Sequence, residues 1–158
     1  MKSLIVYFSQ SGNTASVAIN LSNILKENGE VKIIGLEDKE QKGGFLSQCK
    51  RAFLRQRAEI DEVPFDVSGY DLVCVGSPVW AFNPAPAILT YLNKISGLDD
   101  KKAVCYITYG SGLGRGKALE FMRESMEKKG AKKVYGFEIN QARSKDIECL
   151  KNRVKEIL

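Results

Sequence analysis

A chain of 158 residues has room for one domain with a sizeable core and little for a second. Its 44% hydrophobic and 27% charged residues are those of an ordinary globular protein, and the net charge of +5 comes from 24 Lys and Arg scattered among 19 acids, as on a solvated surface. With no histidine, imidazole acid-base catalysis and His-dependent metal sites are excluded.

Along the chain, β-branched apolar runs alternate with segments of helical period. "SLIVYF" (3–8) reads as a strand, followed by a helix over about 13–28 with Val17, Ala18, Leu21, Ile24 and Leu25 in one stripe and Gly29 as its cap. "EVKIIGL" (30–36) is a second strand, and "FLSQCKRAFLRQRAEI" (45–60) is expected to form a helix burying Phe45, Leu46, Cys49, Ala52 and Phe53. "YDLVCVGS" (70–77) is a third strand, and Pro84 and Pro86 suit the first turn of a helix running to about Ile95. "KAVCYITYG" (102–110), a helix over about 115–129, "KKVYGFEI" (132–139) and a helix over 144–158 complete the series.

Five strands alternating with five helices predict one α/β domain over 1–158, a three-layer doubly wound sandwich with a parallel sheet. The runs at 3–8, 71–76 and 103–107 are almost wholly apolar and belong inside the sheet, whereas Lys32, Lys133 and Glu138 mark the second and fifth strands as edges. That pattern fits the order 2-1-3-4-5. Cys49, Cys74, Cys105 and Cys149 show no CxxC spacing and read as reduced core thiols, and no run is long enough to cross a bilayer. A cytoplasmic protein is expected.

In such a sheet, ligands sit beyond the carboxyl ends of the strands, where the strand order reverses. Three loops fall there. "SQSGNT" (9–14) offers hydroxyls, a glycine and the N-terminus of a helix, which together suit a phosphate without any cation. It also reads as a polar turn with Asn13 or Thr14 capping the helix. "GSPVWAFNPAP" (76–86) holds the only Trp on a proline-stiffened loop, a surface for a planar ring or simply a core anchor. "TYGSGLGRG" (108–116), with four glycines, is a flexible connection or a source of main-chain hydrogen bonds to a ring edge.

Taken together, the three loops resemble those of the flavodoxin family over essentially the whole chain. "IVYFSQSGNTASVA" is similar to the family's (T/S)x(T/S)Gx(T/S) loop for the phosphate of FMN, and the other two stand where its flavin loops fall. The resemblance implies a short-chain, flavodoxin-like protein with FMN as cofactor. By position it assigns Ser9, Gln10, Ser11, Gly12, Asn13 and Thr14 to the phosphate. Pro78, Val79, Trp80, Ala81 and Phe82 would line the flavin, with Trp80 stacked on it, and Thr108, Tyr109, Gly110 and Gly112 would touch its pyrimidine edge.

This chain also departs from the family. The third loop lacks the usual carboxylates and has Arg115 beside it, a cation expected to favour the reduced, anionic flavin. The tyrosine that often covers the outer flavin face is replaced near Leu113 and Gly114, which leaves that face open. Where the family often has Gly after the Trp, Ala81 and Phe82 stand, and a positive φ costs a residue with a Cβ about 1 kcal/mol. Weaker stabilisation of the one-electron-reduced flavin is therefore expected.

The basic residues Lys50, Arg51, Arg55 and Arg57 read as a solvated helix face, or as a docking surface for an acidic redox partner such as ferredoxin or for a nucleotide phosphate. No nucleic-acid motif accompanies them. The expected function is electron transfer between redox partner proteins through non-covalent FMN, with no catalytic side chain. The alternative is an FMN-dependent NAD(P)H oxidoreductase acting on a quinone or similar acceptor. A signalling domain of the same topology would need an acidic phosphoacceptor site, which the Ser-rich first loop does not supply.

Overall fold

In the computed structural model, which describes residues 1–40 and 43–157, the apolar runs pair into one sheet. Its strands are β1 (Lys2–Phe8), β2 (Glu30–Leu36), β3 (Leu72–Trp80), a two-residue β4 (Asn83–Pro84), β5 (Lys102–Tyr109) and β6 (Lys133–Asn140). The long strands are parallel in the order β2-β1-β3-β5-β6, which is the expected order of five, with the two mixed strands at the edges. β4 had no signature in the sequence. It pairs antiparallel with the end of β3 and closes a tight hairpin there.

Period-two alternation sends the strand side chains to two cores. On one face Ile5, Cys74, Val104 and Tyr106 meet Val17, Leu21 and Leu25 of α1 (Asn13–Lys26) and Leu150 of α5 (Ile147–Val154). On the other, Val6, Val73, Val75 and Cys105 meet Ala52 of α2 (Phe45–Phe53), Ile88 of α3 (Pro86–Lys94) and Met122 of α4 (Arg115–Lys128). Each large apolar side chain buried this way contributes about 1.5–3 kcal/mol. All four cysteines are free thiols, and burial pushes the Cys74 thiol up to about 12, so it stays protonated and inert at neutral pH.

The second helix differs from the expectation in two ways. It ends at Phe53 rather than near 60, because Arg55 takes a left-handed φ of 50 and turns the chain away. The extended segment that follows is tied to α3, where Ala58 N donates to Thr90 Oγ1 and that hydroxyl donates back to Ala58 O. The helix is also rotated. Phe45, Leu46 and Phe53 are exposed, Cys49 is half-buried, and Gln48 and Ala52 face inward. Arg51 explains the rotation: its guanidinium reaches inward to Asp38 at 2.9 Å and to Gln48 Oε1 at 3.0 Å, where the Asp38 side chain is 0% exposed. A buried carboxylate with no cation costs several kcal/mol, on the order of the gain from burying two apolar side chains.

The C-terminal helix is shorter than the expected 144–158. A 3-10 turn occupies Gln141–Arg143, α5 begins at Ile147 with Asp146 accepting from Cys149 N at 2.9 Å, and Leu158 lies outside the described residues. Among the described residues no helix is long and apolar enough to cross a membrane.

Candidate functional site

The carboxyl ends of β1, β3 and β5 surround a cleft of about 510 Å³. At the end of β1 the chain leaves the sheet through Ser9 and enters α1 at Gly12, whose φ of 86 is left-handed and where an added Cβ would meet nothing within 4 Å. No side chain caps this helix, so the N–H groups of its first turn are left for a ligand or water. The Ser9 Oγ is buried without a protein partner, an orphaned polar atom that an anion's oxygen would satisfy. Asn13 Nδ2 donates to Ser11 Oγ at 3.0 Å while Ser144 Oγ donates to Asn13 Oδ1 at 3.2 Å, so the polar side chains of the loop are already oriented. Neutral donors with a helix N-terminus behind them fit a phosphate.

Thr14 takes another role. It is 1% exposed and its hydroxyl shares a 2.8 Å hydrogen bond with that of Thr108, tying the first loop to the third. Only its backbone N–H, in the first turn of α1, remains for the phosphate.

At the end of β3, Val79 pairs with Pro84 and Trp80 with Asn83, which leaves Ala81 and Phe82 as the two central residues of a hairpin. Their φ values of 44 and 69 are both left-handed, the pattern of a type I′ turn built without glycine or asparagine. Each such residue costs about 1 kcal/mol. Asn83 Nδ2 donates to Ala81 O at 3.2 Å, Arg55 Nε donates to Asn83 Oδ1 at 2.9 Å, and Phe82 lies where a Cβ on Gly114 would be, so the surroundings hold the turn. The positive φ whose cost was expected at Ala81 and Phe82 is adopted at both residues.

Trp80 lines the cleft but is only 5% exposed, its ring set edge-on to Phe8 at 5.5 Å between centroids. It is mainly a core residue that offers one margin to the cleft, rather than a freely exposed stacking surface. Pro78 and Val79 line the cleft beside it. Ala81 and Phe82 point elsewhere, into a smaller depression shared with Phe53 and Arg55.

The third loop brings Thr108, Tyr109 and Gly110 to the cleft, and Asn140 Nδ2 donates to Gly110 O at 3.3 Å. Gly112 lies beside Tyr109 and Arg115 outside the lining. Arg115 is not a free cation. Its Nε bonds Glu138 at 2.9 Å and its guanidinium stacks over Tyr109 at 4.7 Å, so a carboxylate offsets much of the charge expected to act on the cleft.

Gln10, Ser11 and Asn13 thus meet Pro78, Val79, Trp80, Thr108, Tyr109 and Gly110, while Ser9, Gly12 and Thr14 support the floor of the first loop. Three lining residues were missed. Phe45 comes from the rotated α2, Ser111 follows the assigned glycine, and Gln141 arrives because β6 runs in register with β5, Tyr109 opposite Asn140. Phe45 thus adds an aromatic side chain to the cleft lining, whereas Leu113 is exposed and outside that lining.

Similar folds are found among solved structures. A flavoprotein in complex with FMN from Lactobacillus acidophilus is 23% identical with a TM-score of 0.67, over 85% of this chain and 92% of that one. Oxidised flavodoxin 2 from Bacillus cereus is 20% identical, TM-score 0.66, over 100% of both chains. Two-electron reduced flavodoxin from Megasphaera elsdenii is 18% identical, TM-score 0.61, over 97% of this chain and 98% of that one. A search of the curated proteins found no match. The family model described as flavodoxin matches residues 2–157, and the chain belongs to that family, whose cofactor is FMN.

Proposed function

We propose that this protein relays electrons between redox partners through non-covalent FMN. The observation that carries the reading is the chemistry of the cleft. Among the described residues its lining contains no carboxylate, amine, guanidinium or thiol; what it offers is hydroxyls, side-chain amides, main chain and aromatic surface, which are groups for binding a cofactor. The first-turn N–H groups of α1 with Ser9 and Ser11 would hold the phosphate. Trp80, Tyr109 and Phe45 supply apolar and aromatic surface for the flavin, and the main chain at Thr108–Gly110 with Ser111 and Gln141 supplies polar contacts. When bound, FMN supplies reversible one- and two-electron chemistry.

The surface around the cleft supports a protein partner. Phe45, Leu46, Phe53 and Phe82 are exposed, Phe45 at the cleft and Phe53 with Phe82 in the depression at the β3–β4 turn. Lys117 lies with them, 6.0 Å over the Phe82 ring. An apolar centre with cations at its rim suits an acidic redox partner such as ferredoxin.

The test is the visible spectrum of the FMN-loaded protein during anaerobic addition of NADH, then NADPH, with dithionite as control. A relay bleaches with dithionite or with a reduced partner protein and stays oxidised with either nicotinamide. Rapid bleaching by NADH or NADPH would overturn the reading in favour of an oxidoreductase that takes hydride directly and passes it to a quinone or similar acceptor.

A further inference from the structure

A second cavity, of about 310 Å³, opens between α3 and α4 on the outer face of the sandwich. Lys128 lies about 20 Å along α4 from Arg115, the residue that stacks on Tyr109 beside the cleft, so the two sites are separate. The floor of this cavity is apolar, made by Leu89, Leu92 and Phe121, and its walls carry Arg55, Arg57, Lys128 and Lys129, with no acidic residue in the lining among the described residues.

How the arginines are held is the informative feature. Of the five other arginines, Arg51, Arg115, Arg123 and Arg143 each pair with a carboxylate. Arg55 and Arg57 donate instead to the neutral side-chain oxygens of Asn83 and Asn93, each at 2.9 Å, so they are positioned without being neutralised. Asn93 also accepts from Lys129 Nζ through its backbone oxygen at 2.7 Å, gathering a second cation at the same rim. The Arg55 guanidinium lies 4.6 Å from the Phe121 ring centroid, which orders it over the floor. Lys128 has Glu124 at 3.5 Å, so the argument rests on Arg55, Arg57 and Lys129, the last held at the rim by Asn93 rather than by a carboxylate.

We infer that this cavity binds a nucleoside phosphate, with the phosphates on Arg57 and Lys129 and the base against Leu89, Leu92 and the Arg55–Phe121 pair. Preoriented guanidinium groups match phosphate oxygens bidentately, and the apolar floor distinguishes a nucleotide from a bare anion. The volume is at the small end of ligand pockets and suits a mononucleotide. The inference is independent of the electron-relay reading, because binding here requires no redox chemistry.

The test titrates the FMN-loaded protein with ADP, adenosine and pyrophosphate by calorimetry, so that the cleft is already filled. ADP is expected to bind at least about tenfold more tightly than either fragment. Arg57→Gln and Lys129→Gln are each expected to weaken ADP about tenfold, the loss of one charge-assisted hydrogen bond, whereas Lys26→Gln on α1 changes nothing. Arg57 and Lys129 are exposed, so both variants should keep wild-type circular dichroism and FMN affinity, which is checked on the same samples. Absence of ADP binding at millimolar concentration, pyrophosphate binding as tightly as ADP, or wild-type ADP affinity in both variants would each overturn the inference.

Discussion

Helices α1 and α2 carry apolar residues at the same helical spacing, yet α1 turns them inward and α2 turns them out. In α1 no buried charge competes with the stripe: Val17, Leu21 and Leu25 face the sheet, and of the large apolar residues in the helix only Ile19 is left exposed. In α2 one ionic contact outweighs the stripe. Arg51 reaches the buried Asp38, and Leu46 is left 84% exposed as a result. Periodicity shows that a face exists, and the charge balance of the neighbouring elements decides which way that face points.

The comparison can be broken at its strongest point first. Leu21→Ala in α1 should cost about 3 kcal/mol in urea unfolding, the range for truncating a fully buried leucine. If it costs under about 1 kcal/mol, the α1 stripe is not the core contact described. Asp38→Asn should cost about 2 kcal/mol, somewhat below a fully buried pair because Gln48 and Glu40 stay within reach of Arg51. The same substitution should loosen α2, read as faster amide exchange over 45–53. Ala81→Gly should stabilise the protein by about 1 kcal/mol, since glycine adopts the left-handed turn without the Cβ penalty. Leu46→Ala should change stability by less than about 0.5 kcal/mol, so a large loss there would show that α2 buries its apolar face after all.

What was legible in the sequence follows from which forces are local. The strand order could be read because a strand covered on both faces must be apolar throughout, and Lys32, Lys133 and Glu138 break that rule at the edges. The first loop could be read because the strand, the hydroxyls, Gly12 and the helix are contiguous. The β3–β4 hairpin could not, since Ala81 and Phe82 are not the residues that favour a type I′ turn and are held there by Asn83 next to them, with Arg55 and Gly114 from distant parts of the chain. Gln141 was hidden for a related reason: it reaches the cleft only through the pairing of β6 with β5. Phe45 was assigned to the core because its helix was expected to bury it. The charge on Arg115 was legible and its partner was not, because Glu138 lies 23 positions on and meets it only across the folded sheet.

The bond between the Thr14 and Thr108 hydroxyls joins groups 94 positions apart. Closing so long a loop is entropically costly until β3 and β5 have docked on β1, so the two walls of the cleft cannot meet early in folding. During synthesis the first loop is made among the first residues, yet it has no opposing wall until more than two thirds of the chain has emerged. The cleft is therefore complete only after β1, β3 and β5 stand side by side, so its shape depends on the middle of the sheet rather than on the first loop alone.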